Sequence, residues 1–568
     1  MLILFLTFVF HLIHHLSSLR LEQLEQLLLG SILSLPNLLS AMDRPRATRL
    51  SKSCILIIVV ASVERFAYKG VSSNLVTYLT EVVEMSASSA AKSVGTWSGV
   101  NFMLPLLSAI LTDSFWDRYS TILASSLLYV VGLIGLTSWA LLQAWMPCSS
   151  LFLPLYLISV GQGGYNPTLQ AFGADQLQMD DDSAYDSEEE KTKVKSQFFR
   201  WWYFGICGGS LLGNSIMSYV QDTIGWGLGF AIPSGVMALS VCSFLCGVRL
   251  YVYKQSKEHK RPPLESVVQF VKDVISSFIV RKVRLQSRDD DDEEAAVKLE
   301  LQAKSLNDLS RMKDDGIDPF IRSEEPHPSV AKIIARLLPI WTTMLMFAVI
   351  FQQPLTFFTK QGMWMHHRIG NSFVIPPAML QSTITISIIL LIPLYDKMLV
   401  PLLRMITREE KGITVLQRIG VGMMMSVLAM FIAMLVESKR LYESRKGRDL
   451  KIFWLLPQYA FLGISDVFTV VGMNEFFYSQ VPNTMRTIGI ALYSSVIGFG
   501  SFLGAFLIDI LEIVTADAGG KSRGWFSDDP REARLDKYYL FLAILSCISF
   551  IMFTYLSRYY NSSTNSVN

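Results

Sequence analysis

The chain has 568 residues, of which 51% are hydrophobic, 12% aromatic and only 17% charged, against about a quarter charged in soluble domains. Fifty Lys and Arg against 48 Asp and Glu leave a formal charge of +2, so no basic surface argues for a nucleic-acid partner. A mean hydropathy of +0.37 over this length leaves too little polar surface to cover one core in water. These figures exclude a soluble globular protein and place the chain in a lipid bilayer.

From the amino terminus, residues 1–41 open on MLILFLTFVFHLIHHL, which has the apolar look of a signal-peptide core but neither a basic lead nor a small-residue cleavage site. Met42 precedes the basic stretch DRPRATRLSK. The expectation is a dispensable or misannotated extension, with a targeting segment as the alternative.

A spanning helix needs about 20 mainly apolar residues. Such windows occur near 54–79, 93–112, 121–145, 151–173, 198–219 and 228–250. A second set follows near 333–357, 374–395, 414–436, 453–474, 486–510 and 538–557. Two sets of six predict an all-α membrane protein with twelve transmembrane helices. The divisions are an extension and lead-in (1–52), a first bundle (53–250), a central segment (251–332), a second bundle (333–558) and a tail (559–568).

The central segment is polar material, with an acidic run at 289–294 and mixed charge through 299–318. Within it Val267, Phe270, Val271, Val274 and Phe278 recur at helical spacing. They predict an amphipathic helix on the cytoplasmic membrane surface or against the bundle. Arg44, Arg46, Arg49 and Lys52 before the first window, Lys191, Lys193 and Lys195 after the fourth, and the central segment all fall on one side if the lead-in is cytoplasmic. The basic stretch 437–451 stands against that orientation, because it must then be outside or lumenal.

The six cysteines form no CxxC pair, and five of them sit in apolar runs, so they read as small packers rather than zinc ligands or a disulfide framework. No histidine falls inside a predicted span, and no Ser/His/Asp set, metal cluster or Walker sequence is present. The expectation is therefore no enzyme, no metal and no cofactor. The glycine run Gly161-Gln162-Gly163-Gly164 before Pro167 lacks the Lys-Ser/Thr ending of a phosphate loop, and reads as close helix packing and bending.

An ionisable residue deep in a span costs about 2.5–3.5 kcal/mol on insertion scales. The first span carries Glu64, Arg65 and Lys69, and at about 100° per residue Ala61, Glu64, Arg65 and Tyr68 share one face. Such a cluster either fixes packing as an ion pair or faces a polar cavity. The second reading is preferred here. Asp466 in the tenth span has no cation near it in sequence, so it is protonated, faces water or pairs across the bundle.

In order along the chain, ERFAYKGVSSNLVTYL, LTDSFWDRYSTI, GQGGYNPTLQAFGADQ, FFRWWYFG, LLPIWTTMLMF, TFFTKQG, IPPAMLQS, PLYDKMLVP, LQRIGVGM, LLPQYAFLGISDVF and NEFFYSQVP are similar to signatures of the plant nitrate transporter/peptide transporter family. That family is the plant branch of the proton-coupled oligopeptide transporters in the major facilitator superfamily. The resemblance runs from about Arg44 to Tyr560. It implies the major facilitator fold, two bundles rocking about a midplane site, and carriage of a small anionic or zwitterionic solute with protons in the plasma or vacuolar membrane.

Three departures bear on the site. The family's first helix reads Glu-x-x-Glu-Arg, and its first glutamate is Ala61 here. A fourth-helix lysine is Asn166, and a seventh-helix histidine associated with nitrate is Phe351. Losing one acid and one base together avoids a stranded charge. The resemblance then implies proton coupling through Glu64 and Asp466, substrate contacts from Arg65, Tyr68, Asn166 and Gln353, and gating by Asp113, Arg118 and Pro167. Nitrate is the first-choice substrate. Dipeptides, hormones, other metabolites and a transport-inactive receptor are the alternatives.

Overall fold

The computed structural model describes residues 50–115, 117–179, 188–252, 330–369, 373–395, 413–481, 486–515 and 524–565. The extension 1–41 and the amphipathic segment around 267–278 lie outside them.

The first half comprises α1 (Lys52–Ser72), α2 (Leu75–Glu81), α3 (Ala87–Phe115), α4 (Arg118–Leu142), α5 (Phe152–Met179), α6 (Glu188–Leu212), α7 (Ser218–Thr223) and α8 (Trp226–Cys246). The second comprises α9 (Val330–Phe351), α10 (Phe357–Met363), α11 (Ser382–Leu394), α12 (Val415–Arg445), α13 (Leu456–Ser479), α14 (Arg486–Thr515) and α15 (Leu535–Asn565). Local chemistry sets the ends. The Ser51 and Asp117 side chains accept the N–H groups of Cys54 and Ser120, and Thr414 and Gln417 form a reciprocal cap. Gly225, at φ 137°, makes the turn into α8 that an L side chain would resist.

Eight helical stretches among the described residues are long and apolar enough to cross a membrane, from Arg118–Trp145 to Leu535–Tyr560. The other long helices of the first half, α1, α3, α5 and α6, include the stretch of α1 that carries Glu64, Arg65 and Lys69. Short 3-10 turns join several of the helices, and between α10 and α11 lies a two-residue antiparallel pair, Arg368–Ile369 with Phe373–Val374. It is the small departure from an all-helical expectation.

Packing repeats between the halves. In the first, α1 packs on α6 and α8, α4 on α5 and α8, and α3 on α5. In the second, α9 packs on α14 and α15, α12 on α13 and α15, and α11 on α13. Counting chain crossings, these are the same five pairs in each half. The seam between halves is also symmetric: α3 meets α14, and α6 meets α11.

One correction concerns the basic stretch at 437–451. It was expected to be a loop, but α12 runs on to Arg445, with Glu437 and Arg440 buried inside it. Arg440 donates to Glu437 at 2.6 and 2.9 Å and to the carbonyl of Pro530 at 3.0 Å. Lys439 stands 3.4 Å from the centre of the Trp454 ring. A hydropathy window registers these charges singly, whereas the fold pairs Arg440 with Glu437 and sets Lys439 over an aromatic ring.

At the end of the bundle that holds the start of α3 and the end of α14, the halves are tied together. Lys92 donates to Asp509 at 2.7 Å and Glu512 at 2.9 Å, and Ser88 Oγ donates to Glu512 at 3.0 Å. The Ala87 N–H donates to Asp528 at 2.9 Å, and Gln381 Nε2 donates to the Ser73 carbonyl at 2.8 Å. The seam is closed at this end.

Candidate functional site at the seam

Glycines let α1 approach α6 closely enough to set the site. Gly205, Gly209 and Gly213 recur every fourth residue on α6 and the π-turn after it. A Cβ at Gly209 would collide with the Ser62 carbonyl, and one at Gly213 would stand 2.7 Å from the Phe66 carbonyl and 3.0 Å from Lys69 Cβ. The small-residue stripe therefore seats α1 over the stretch that carries Glu64, Arg65 and Lys69. The glycine run on α5 acts the same way: Cβ atoms at Gly161 and Gly163 would meet Tyr129 at 2.7 Å and Leu104 at 2.6 Å. Helix packing thus accounts for these glycines, with Pro167 inside the same helix.

Glu64 is 1% exposed, and its Oε2 lies 3.9 Å from Arg65 Nε. That is an ion pair too long to be a hydrogen bond, and both Glu64 Oε1 and Arg65 Nε are buried without a hydrogen-bond partner. The Arg65 guanidinium lies 5.6 Å from the centre of the Tyr68 ring, which stacks on Trp97 at 5.8 Å. Asn101 Nδ2 donates to the Tyr68 hydroxyl at 3.4 Å. The hydroxyls of Tyr129 and Tyr165 stand within Coulombic reach of Glu64, Tyr129 placed toward that carboxyl and Tyr165 toward Ser240. Native interiors leave few polar atoms unsatisfied. Here Glu64 Oε1 and Arg65 Nε stand side by side without a hydrogen-bond partner, an arrangement suited to a proton, water or ligand that completes it.

Across the seam Asp466, on α13, is within Coulombic reach of Lys69 on α1. Cys207 of α6 packs with Val467 and Ile388, which brings α13 to this point. Tyr203, Cys207 and Tyr493 also face Asp466, and Arg65 reaches Tyr493. Asp466 is buried, with Lys69 of the opposite half within Coulombic reach but not within the 4.0 Å of an ion pair.

The remaining sequence candidates divide. Asn166, half-buried, follows Tyr165 on α5. Gln353 turns away from this group: its Nε2 donates to the Val349 carbonyl at 3.1 Å and the Tyr538 hydroxyl at 3.3 Å, inside the second half. Arg118 pairs with Asp175 of α5, entirely within the first half. Asp113 belongs to α3, and its side chain is outside the described set. Sequence reasoning named Lys69 among the charges of the first span but gave it no role, although its i, i+4 relation to Arg65 was available. It also missed the Tyr129 and Tyr165 hydroxyls, which no spacing rule connects to Glu64.

The chain is similar to known proteins over nearly its whole length. The family profile described as PTR2, POT family, matches residues 119–526. Two relatives from Arabidopsis thaliana, Protein NRT1/PTR FAMILY 5.9 and 5.10, are 49% and 40% identical, over 92% and 90% of this chain and 98% and 93% of their own lengths. The crystal structure of the POT family transporter PepTSo matches 90% of this chain and 99% of its own with a TM-score of 0.66 at 20% identity, a likeness of fold. The fold is that of the major facilitator transporters, and the chain belongs to the POT family of multi-pass membrane transporters, on its NRT1/PTR branch.

Proposed function

We propose that this protein is a proton-coupled symporter that carries a small anion, with nitrate as the first candidate, by alternating access across the seam. One observation carries the reading: an acid and a base on α1, Glu64 and Arg65, are buried side by side with unsatisfied atoms, and Arg65 and Asp466 of the other half both come within Coulombic reach of Tyr493. In this reading Glu64 and Asp466 take up protons, and Arg65, Tyr68 and Asn166 contact the substrate. Gln353 is left out, because its amide is engaged in the second half. Rocking must break the ties at the closed end. A membrane potential of about 100 mV supplies about 2.3 kcal/mol per charge moved toward that work.

A second reading has its own support. Lys69 and Asp466 present opposite charges from opposite halves, which suits a zwitterion such as a dipeptide.

Uptake of labelled nitrate and of dialanine into oocytes, measured with and without an inward proton gradient, tests both. Gradient-dependent nitrate uptake that collapses in Glu64→Gln is the expected result. Uptake in Glu64→Gln equal to wild type at every pH overturns the coupling role, and dialanine carried in preference to nitrate selects the zwitterion.

A further inference from the structure

Among the described residues, the basic stretch that ends α12 pairs only Arg440 with a carboxylate, and its other cations stand at the end of an exposed apolar stripe. We propose that this outward face of α12 is a binding site for an anionic phospholipid, whose acyl chain lies along the stripe and whose phosphate sits between Lys439 and Lys446. The inference concerns the lipid around the carrier, and it depends neither on the solute carried nor on proton coupling.

Helix geometry makes the stripe. At about 100° per residue, Met424, Leu428, Leu435, Lys439, Tyr442 and Lys446 fall within about 60° of one another along α12 and its C-cap. All six are exposed, Leu435 at 61% and Tyr442 at 57%, whereas Met423, Met430 and Ala433 on the inward side are buried. In a chain that spans a bilayer, such an outward apolar stripe meets lipid tails. From Met424 to Leu435 it rises about 17 Å, and one hydrocarbon leaflet is about 15 Å thick. Lys439 follows one turn later, at headgroup depth.

The headgroup end is cationic and aromatic. Lys439 Nζ stands 3.4 Å from the centre of the Trp454 ring. Lys446 Nζ stands 3.9 Å from the centre of the Tyr442 ring and donates to its hydroxyl at 2.6 Å. Tyr442 follows Lys439 by three residues and precedes Lys446 by four, so the lysines lie to either side of it along the stripe. Tyr and Trp are the residues that settle at the membrane–water interface. Arg445, Arg448 and Lys451 are exposed beside them, while the stretch 437–451 holds only Glu443 and Asp449 besides the buried Glu437. The excess positive charge is complementary to an anionic headgroup. The outward face of α4 is different: it exposes Leu127, Val131, Ile134 and Leu141 and finishes at Trp145, with no lysine or arginine after Arg118. The site stands at the closed end of the seam, because Arg440 donates to Pro530 and Asp528, two residues earlier, accepts the Ala87 N–H.

The test is the melting temperature of the full-length protein in dodecyl maltoside, titrated with phosphatidylglycerol, phosphatidylcholine or inorganic phosphate, each variant read against its own lipid-free value. Phosphatidylglycerol is expected to stabilise the protein with a half-effect at about one tenth of the phosphatidylcholine concentration, and inorganic phosphate to do nothing. Lys439→Gln combined with Lys446→Gln is expected to raise the half-effect concentration of phosphatidylglycerol about tenfold, to that of phosphatidylcholine. Lys439→Arg combined with Lys446→Arg keeps the preference. Lys537→Gln removes an exposed lysine that stands beside Trp525 on α15, off the stripe, and is expected to change nothing. Equal half-effects for the two lipids in the wild type, or a double glutamine variant that keeps the preference, overturn the proposal. Inorganic phosphate as effective as phosphatidylglycerol assigns the lysines to a soluble anion and overturns the lipid. A dimer in detergent that Leu435→Glu splits assigns the stripe to a second copy of this chain and overturns it as well.

Discussion

Lys92 and Glu512, on helices from opposite halves and 420 positions apart in sequence, meet at 2.9 Å. Asp509 and Ser88 extend the contact into a small network at the closed end. Partly exposed pairs are worth up to about 1 kcal/mol each, so the network biases the seam shut without locking it. Lys92→Gln should shift the population toward opening at this end by about fivefold. A cysteine at Thr77, whose hydroxyl contacts Met363 across the seam, reports it in a background with the exposed Cys148, Cys242 and Cys246 replaced by serine. Faster labelling by an impermeant thiol reagent is the expected outcome. An unchanged rate refutes the latch.

The buried Glu437–Arg440 pair supports the second half, away from the seam. Removing one partner strands the other charge, so Arg440→Leu should lower stability by about 3–5 kcal/mol, seen as a depressed melting temperature in detergent. Glu437→Leu combined with Arg440→Met should recover most of that loss and keep uptake. If the double variant is as unstable as the single, the account by stranded charge is wrong.

Adjacent glycines on α6 provide a controlled pair. A Cβ at Gly209 strikes the Ser62 carbonyl, whereas one at Gly208 meets nothing within 4 Å. Gly209→Ala should cost about 1–3 kcal/mol of stability by overpacking, and should impair uptake because Arg65 is displaced. Gly208→Ala should leave both near wild type. Equal effects would mean that α1 is not seated by this stripe.

Gln353 joins α9 to Tyr538 of α15. Gln353→Leu removes a buried hydrogen bond and should lower stability by about 1–2 kcal/mol, while the KM for substrate stays unchanged. A KM shift without loss of stability would return Gln353 to the substrate site.

Much of the architecture was legible one residue at a time. Apolar windows located the helices, because a bilayer demands a local run of about 20 such residues. Ordered motifs from ERFAYKG to NEFFYSQVP carried the family, and Glu64 and Arg65 stood out because charge is costly where those windows put it. Where the reading went astray, pairing was the cause. The 437–451 stretch looked like a free basic loop because Glu437 and Arg440 cancel only when a helix sets them three residues apart in a buried place.

By itself, then, the order of residues determined that this chain spans a membrane, in which segments, and which charges lie in them, since the hydrophobic effect acts on contiguous stretches. Only the tertiary structure decided who meets whom: that Asp466 comes within Coulombic reach of Lys69, that Gln353 belongs to the second half's interior, and that Lys92 ties the halves together. Electrostatic partnership depends on distance in space and on local dielectric, and neither is a property of neighbouring positions along a chain.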